Sequence, residues 1–310
     1  MSARRLALGA AQWGLDYGIA NRTGRPDDAV VAEILRIARD AGVDTIDTAA
    51  AYGDSEAVIG RLVGADPYWK VVTKLRPDLF APDRDASATA RAARESLDAS
   101  LRALQRDTLD AVLLHRWTDD QASRTAALDA LEAAGSAGRV GRLGVSVLTA
   151  AEHARALAEP RIALVQCPAH LLDARFVAPG GPAPSAGAAI HTRSAFFQGV
   201  AFLDPSALPP HLEPARPPLA ALRALARALD VAPAALWLAW ALHLPTERVI
   251  VGCERAEQLA ANLEALSHAA AVLDAVRDFA ATRPDLPDAV LDPWRWPPRA
   301  PEAPPPPQTP

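Results

Sequence analysis

The chain predicts an α/β barrel, with eight parallel strands and the helices between them closing into one domain. Three observations carry this. Short apolar, β-prone runs alternate with helical patterns along most of the sequence. The 310 residues, half of them hydrophobic and 22% charged, suit a barrel that commonly uses about 250 residues. No Pro/Gly/Ser linker is long enough to divide the alternation into two domains. A doubly wound sheet competes, but it needs a glycine-rich turn such as GxGxxG after an early strand. The nearest candidate, GAAQWG from Gly9, has the wrong spacing, and no GxxxxGK is present.

The elements follow in order. Residues 6–11 read as a first strand. Residues 27–41 read as a helix with Val30, Val31, Ile34, Leu35 and Ala38 on one face, capped by Asp27 or Asp28 and stopped at Gly42. Strand 43–47, helix 55–63 and strand 70–73 come next, then a long helix over 87–104 and a strand at 110–114. Helix 125–135 and strand 143–147 make the next pair, after which Thr149 opens a short helix. Strand 162–166 is followed by a loop over 169–188 containing PGGPAPSAG, and by strand 189–192. Helices at 219–229 and 233–242, strand 249–251 and helix 256–266 complete eight strand–helix units. A last helix near 270–281 and the segment LDPWRW run back over one end of the barrel. The barrel is expected to occupy residues 1–297, and the Pro-rich stretch 298–310 to be a disordered, polyproline-like tail.

Composition excludes some classes. With 32 basic against 37 acidic residues the net charge of −5 argues against a general nucleic-acid surface. MSARRLALGAAQWG lacks a sustained apolar core or a small-residue cleavage site, so neither a signal peptide nor a membrane span is expected. Cys167 and Cys253 stand far apart in apolar contexts, as reduced, buried residues of a cytoplasmic protein. Neither HxxxH nor CxxC occurs, so no catalytic metal is expected.

Four residues close strand-like runs or follow them: Asp47 in IDTA, Tyr52 in AYG, Lys74 in VVTK and His115 in LLHR. In a barrel the C-terminal strand ends meet at one mouth, so these groups converge. A carboxylate, a phenol, an amine and an imidazole together suit proton transfer beside a carbonyl oxygen. Tyrosine is a weak acid of pKa ~10, and an adjacent cation makes it a better donor.

The order and contexts of these four resemble the aldo-keto reductases, whose tetrad is Asp, Tyr, Lys and His. LGAAQWG from Leu8, GVS from Gly144, VQ from Val165 and VIVGCERAEQLAANL from Val249 extend the likeness over about residues 5–295. The resemblance implies that Tyr52 gives a proton to a carbonyl oxygen while a nicotinamide gives hydride to the carbon. Lys74 would be the neighbouring cation, Asp47 would keep it charged, and His115 would orient the carbonyl. Ser146 and Gln166 would hold the nicotinamide carboxamide, although Val147 stands where the family often has Asn. Arg193 occupies the place of a stacking tyrosine, and its planar guanidinium can also stack. Ser194, Phe196 and Gln198 would follow the pyrophosphate, and Gly252, Arg255, Gln258 and Asn262 the adenosine end. Gln258 stands where an arginine often clamps a 2′-phosphate, and Glu254 adds negative charge. NADP(H) is therefore favoured by family habit, with NAD(H) open.

The implied substrate is a small carbonyl or sugar-like molecule. Among Trp13, Trp117, Trp294 and Trp296, Trp13 is the foremost candidate for an apolar wall because it follows the first strand directly. YGIAN from Tyr17 and LDPWRW resemble a bacterial branch of the family. Two other readings stand beside reduction. One is a cofactor-binding regulatory barrel with little turnover; the complete tetrad opposes it. The other is a Schiff-base aldolase using Lys74, opposed by Asp47, which would keep that amine protonated. Oligomeric state is left open.

Overall fold

In the computed structural model the described residues are 2–179 and 187–297. The centre of the PGGPAPSAG segment and the Pro-rich tail at 298–310 lie outside them.

Eight strands close a parallel barrel in sequence order. Strand β1 (Leu6–Gly9) leads into helices α1 (Ala11–Gly14) and α2 (Asp28–Asp40). Then come β2 (Thr45–Asp47), α3 (Ser55–Leu62), β3 (Lys70–Lys74) and α4 (Ala86–Leu104). The next units are β4 (Leu109–Leu114) with α5 (Gln121–Ser136) and β5 (Val140–Ser146) with α6 (Ala150–Ala158). Strands β6 (Leu164–Pro168) and β7 (Ala189–Arg193) precede α7 (Arg216–Ala228) and α8 (Pro233–His243). The chain ends in β8 (Arg248–Gly252), α9 (Ala256–His268), α10 (Leu273–Thr282) and α11 (Asp288–Leu291). Strand β8 pairs with β1, from Leu6 opposite Val249 to Gly9 opposite Gly252, and so closes the ring.

Local chemistry sets the helix starts. The Asp27 carboxylate accepts from Val30 N at 2.9 Å, and Asp85 caps α4 through Ala88 N at 2.7 Å. Thr149 opens α6 as the sequence predicts, and forms a capping box there with Glu152. Asp120 caps α5 and starts it four residues earlier than the expected 125. In α8, residues 234–242 are all buried, as befits a helix apolar on every side.

Two expectations need correction. Strand β1 stops at Gly9, and Ala11–Gly14 turns into a short helix. The count of eight complete strand–helix units also falls short: β6 is followed by no helix among the described residues, in keeping with the loop expected from residue 169. Among the described residues no single helix is long and apolar enough to cross a membrane.

Side chains alternate along a strand, and this parity builds the barrel interior. Val72, Ala111, Leu113 and Leu164 pack together with Ala189 as one buried cluster. Two residues further along the same faces stand Lys74 above Val72, His115 above Leu113, and Gln166 above Leu164. Arg193 likewise ends the face that carries Ala189 and His191. Apolar packing thus fills the middle of the barrel, and polar groups crown its C-terminal rim.

Candidate active site

Lys74 is 1% exposed, and its Nζ donates to Asp47 Oδ1 at 2.7 Å and to the Thr48 carbonyl at 2.7 Å. The other Asp47 oxygen accepts from Gln166 Nε2 at 2.6 Å, so β2, β3 and β6 are tied across the barrel. Burial pulls the Lys74 pKa down, but Asp47 and Tyr52 outweigh it and hold the ammonium above its ordinary value. Gln166 Oε1 is buried and has no hydrogen-bond partner.

Tyr52 sits in the turn between β2 and α3. Its N–H donates to the Ala49 carbonyl at 2.9 Å, and its carbonyl accepts from Ser55 N at 3.0 Å. Ser55 Oγ donates to the Ala10 carbonyl at 2.8 Å and lies 2.9 Å from Thr48 Oγ1. Helix α1 closes on this turn so tightly that a Cβ on Gly14 would run into the Tyr52 carbonyl. Gly53, at φ +53°, faces the Gly14 carbonyl in the same way. The backbone that carries Tyr52 is thereby held on both sides.

Lys74 Nζ lies 5.0 Å from the Tyr52 ring centre. The His115 ring stands edge-on to Tyr52, with centroids 5.9 Å apart at 88°. Burial, then the charges of Lys74, Arg116 and Arg193, push the His115 pKa down to about 3. His115 is therefore neutral near pH 7, and its buried Nδ1 has no partner.

A cavity of ≈ 680 Å³ opens beside these groups, running from Asp47 and Tyr52 past Arg193 to the β8–α9 loop. Arg193, Ser194, Phe196 and Gln198 line it on the β7 side. Gly252, Arg255, Gln258 and Asn262 line its far end. Lys74, His115, Ser146 and Gln166 do not line it; Lys74, Ser146 and Gln166 are buried and His115 is half-buried. After β7 the backbone adopts left-handed φ at Ser194 (+62°), Phe197 (+51°) and Gln198 (+58°), a rare run for residues with side chains.

Trp13 is corrected. It is 1% exposed, donates from Nε1 to the Cys253 carbonyl at 3.2 Å, and packs in the core instead of lining the cavity. Its apolar ring is better buried against β8 than left at the mouth. Gln258 also differs from the expected phosphate contact. Its Oε1 accepts from the N–H groups of Glu254 and Arg255 at 2.9 and 3.2 Å, and its Nε2 donates to Glu254 Oε1 at 2.8 Å. The start of α9 consumes that side chain. Asn262 is buried and lies 3.8 Å from Cys253 Sγ.

Sequence reasoning missed Gln12 and Tyr17 as cavity residues. The Tyr17 hydroxyl accepts from Gln198 Nε2 at 2.6 Å, and Ile19 N donates to the Gln198 carbonyl at 3.1 Å. The YGIAN segment thus clasps the β7 loop. Its resemblance to a family branch was the available signal, but no strand or helix pattern aimed it at the mouth.

The Aldo/keto reductase family model matches residues 5–180. A 6-dehydroglucose reductase from Novosphingobium aromaticivorans is 30% identical over 122 residues, or 36% of this chain and 38% of that protein. The matched stretch therefore spans well under half of that relative's length. Two solved structures of candidate aldo-keto reductases from Pseudomonas aeruginosa share the fold. One superposes with a TM-score of 0.60 at 24% identity, covering 86% of this chain and 90% of the other. The second gives 0.59 at 23% identity, with the same coverage. This chain belongs to the aldo/keto reductase family.

Proposed function

We propose that this chain reduces a small aldehyde or ketone to the alcohol, with Tyr52 as the proton donor. The observation that carries the reading is the buried Asp47–Lys74 pair beside Tyr52, with a neutral His115 against the same ring. When bound, a reduced nicotinamide supplies the hydride to the carbonyl carbon. The phenol of Tyr52 gives the carbonyl oxygen its proton and recovers one from solvent through the cavity, so the step balances. The Lys74 ammonium stabilises the negative charge left on the phenol, and Asp47 keeps that ammonium in place. Neutral His115 donates to the carbonyl oxygen as charge develops there.

The residues present fit such a cofactor. The unpartnered Gln166 Oε1 is a buried acceptor suited to a carboxamide N–H, with Ser146 opposite it in strand register. Ser194, Phe196 and Gln198 would follow the pyrophosphate. Gly252, Arg255 and Asn262 would hold the adenosine end, without Gln258 as a phosphate clamp. Arg255 favours NADP(H), while the Glu254 carboxylate at the same end opposes a 2′-phosphate, so we assign use of both cofactors with a weak NADP(H) preference.

The name of the relative that acts on 6-dehydroglucose supports a sugar-like carbonyl as the substrate class. Schiff-base chemistry at Lys74 is disfavoured, because a charged ammonium has no lone pair to attack with. The test is a panel of aldehydes, ketones and oxidised sugars, assayed with NADPH and NADH and by borohydride trapping. Carbonyl-dependent cofactor oxidation without trapping is the expected result. A trapped Lys74 adduct, or no cofactor oxidation with any carbonyl, would overturn the reading.

A further inference from the structure

Arg193 places a charge on the cavity wall beside the Asp47, Tyr52, Lys74 and His115 cluster. It ends β7 on the interior face, lines the cavity, and donates to the Val147 carbonyl at 3.2 Å. Among the described residues no carboxylate forms an ion pair with it. Its charge is felt by Lys74, His115 and Tyr17.

The charges around this end of the cavity can be counted element by element. Strand β2 supplies Asp47 and β3 supplies Lys74, which cancel as an ion pair at 2.7 Å. After β4 comes a neutral His115, followed by Arg116, whose charge also reaches that ring. The segment after β1 contributes the phenol of Tyr17 together with Asp16 and the cavity-lining Arg22, the turn after β2 the phenol of Tyr52, and α3 the buried Glu56, which feels Lys74. Arg193 therefore adds to the cavity wall at the reacting end a positive charge that no carboxylate pairs with among the described residues.

From this balance we infer that Arg193 makes the site discriminate between the redox states of its cofactor, binding reduced nicotinamide more tightly than oxidised nicotinamide. The inference rests on the carbonyl-reductase reading above. An oxidised nicotinamide ring carries a positive charge that the reduced ring lacks, while both forms carry the same phosphates. Repulsion from Arg193 thus acts on one form only. Repulsion between two unit charges within one cavity, across a medium of effective permittivity ~20, biases binding by about tenfold or more. Turnover in the reducing direction benefits, since the oxidised product leaves from a site that repels it.

The experiment is the dissociation constant of NADPH, NADP+, NADH and NAD+, read by quenching of intrinsic tryptophan fluorescence and by calorimetry, without substrate. The wild-type protein, Arg193→Lys, Arg193→Gln and Arg193→Met are compared. We expect the reduced forms to bind at least about tenfold tighter in the wild type, a similar ratio in the Lys variant, and a ratio falling towards one in the Gln or Met variant. Whichever neutral variant folds supplies that last reading. A wild-type ratio near one overturns the inference without any variant. So does an unchanged ratio in a neutral variant, or an equal loss of affinity for both forms, which would mean that Arg193 reads the phosphates. Failure of all four nucleotides to bind would instead sink the nicotinamide reading itself.

Discussion

The two ends of the barrel carry the same kinds of side chain and use them differently. At the base, Glu247 takes two hydrogen bonds from Arg142, at 3.0 and 3.2 Å, and lies 3.3 Å from His191 Nε2. Arg248 reaches Asp44, which also pairs with Lys70 at 2.9 Å. These charges meet opposite charges at the edge of solvent, with Glu247 36% and Lys70 48% exposed. At the mouth, Lys74 and Asp47 are almost fully buried, and His115 Nδ1 and Gln166 Oε1 are left without partners near a cavity. An ion pair does not mark a site by itself. Unsatisfied atoms do not mark one either, since His191 Nδ1 at the base is also buried without a partner; what distinguishes the mouth is a buried ion pair, kept despite its desolvation cost, beside a cavity.

The contrast can be broken from either end. Lys74→Met should have the largest effect, because it strands a buried Asp47 carboxylate. Loss of one partner of such a pair costs ~3–5 kcal/mol, so thermal unfolding should show a clear destabilisation and turnover should collapse as well. A variant as stable and as active as the wild type would remove Lys74 from both roles.

Glu247→Gln at the base should behave differently, leaving kcat and cofactor affinity unchanged. Glu247 and Arg142 are about one-third exposed, and glutamine keeps an oxygen for the buried His191, so the stability loss should be ~1 kcal/mol or less. His191 and Arg142 hold the Glu247 carboxyl well below the usual range. Its contribution is present above the ordinary glutamate pKa and fades as acid reaches the lowered folded value, so the two proteins should converge in stability at low pH. A loss of kcat in this variant would blur the division between base and mouth.

Glu254→Gln should produce a smaller, selective change, a few-fold rise in NADP affinity relative to NAD at low salt. An unchanged ratio of the two dissociation constants would show that Glu254 does not face the 2′ position. Finally, His115 is neutral at any pH well above 3, so kcat/KM should show no limb near the ordinary histidine value of ~6.5. A limb there that disappears in His115→Asn would contradict a neutral histidine.

Much of this was readable from sequence because buried parallel strands are short continuous apolar runs. Such runs, set between helical patterns, located the strands, and their ends put Asp47, Lys74 and His115 on one rim. Cap residues such as Asp27 and Thr149 located helix starts to within a residue. The misses share another cause. Trp13 follows a strand, but its ring turns into the core because α1 forms there, and nothing in local spacing shows that turn. Gln258 resembles a ligand contact in sequence, yet serves the start of its own helix. Tyr17 lines the cavity and pairs with Gln198, 181 residues away, a contact that no local pattern encodes.

The central claim is that the mouth works through the Tyr52 phenol, and Tyr52→Phe tests it most directly. The measurement is single-turnover reduction of an accepted carbonyl by enzyme preloaded with NADPH, alongside NADPH binding and thermal unfolding. The account predicts unchanged nucleotide affinity, near-native stability and a chemical step slowed by ~10²–10⁴-fold. A chemical step at the wild-type rate would contradict it.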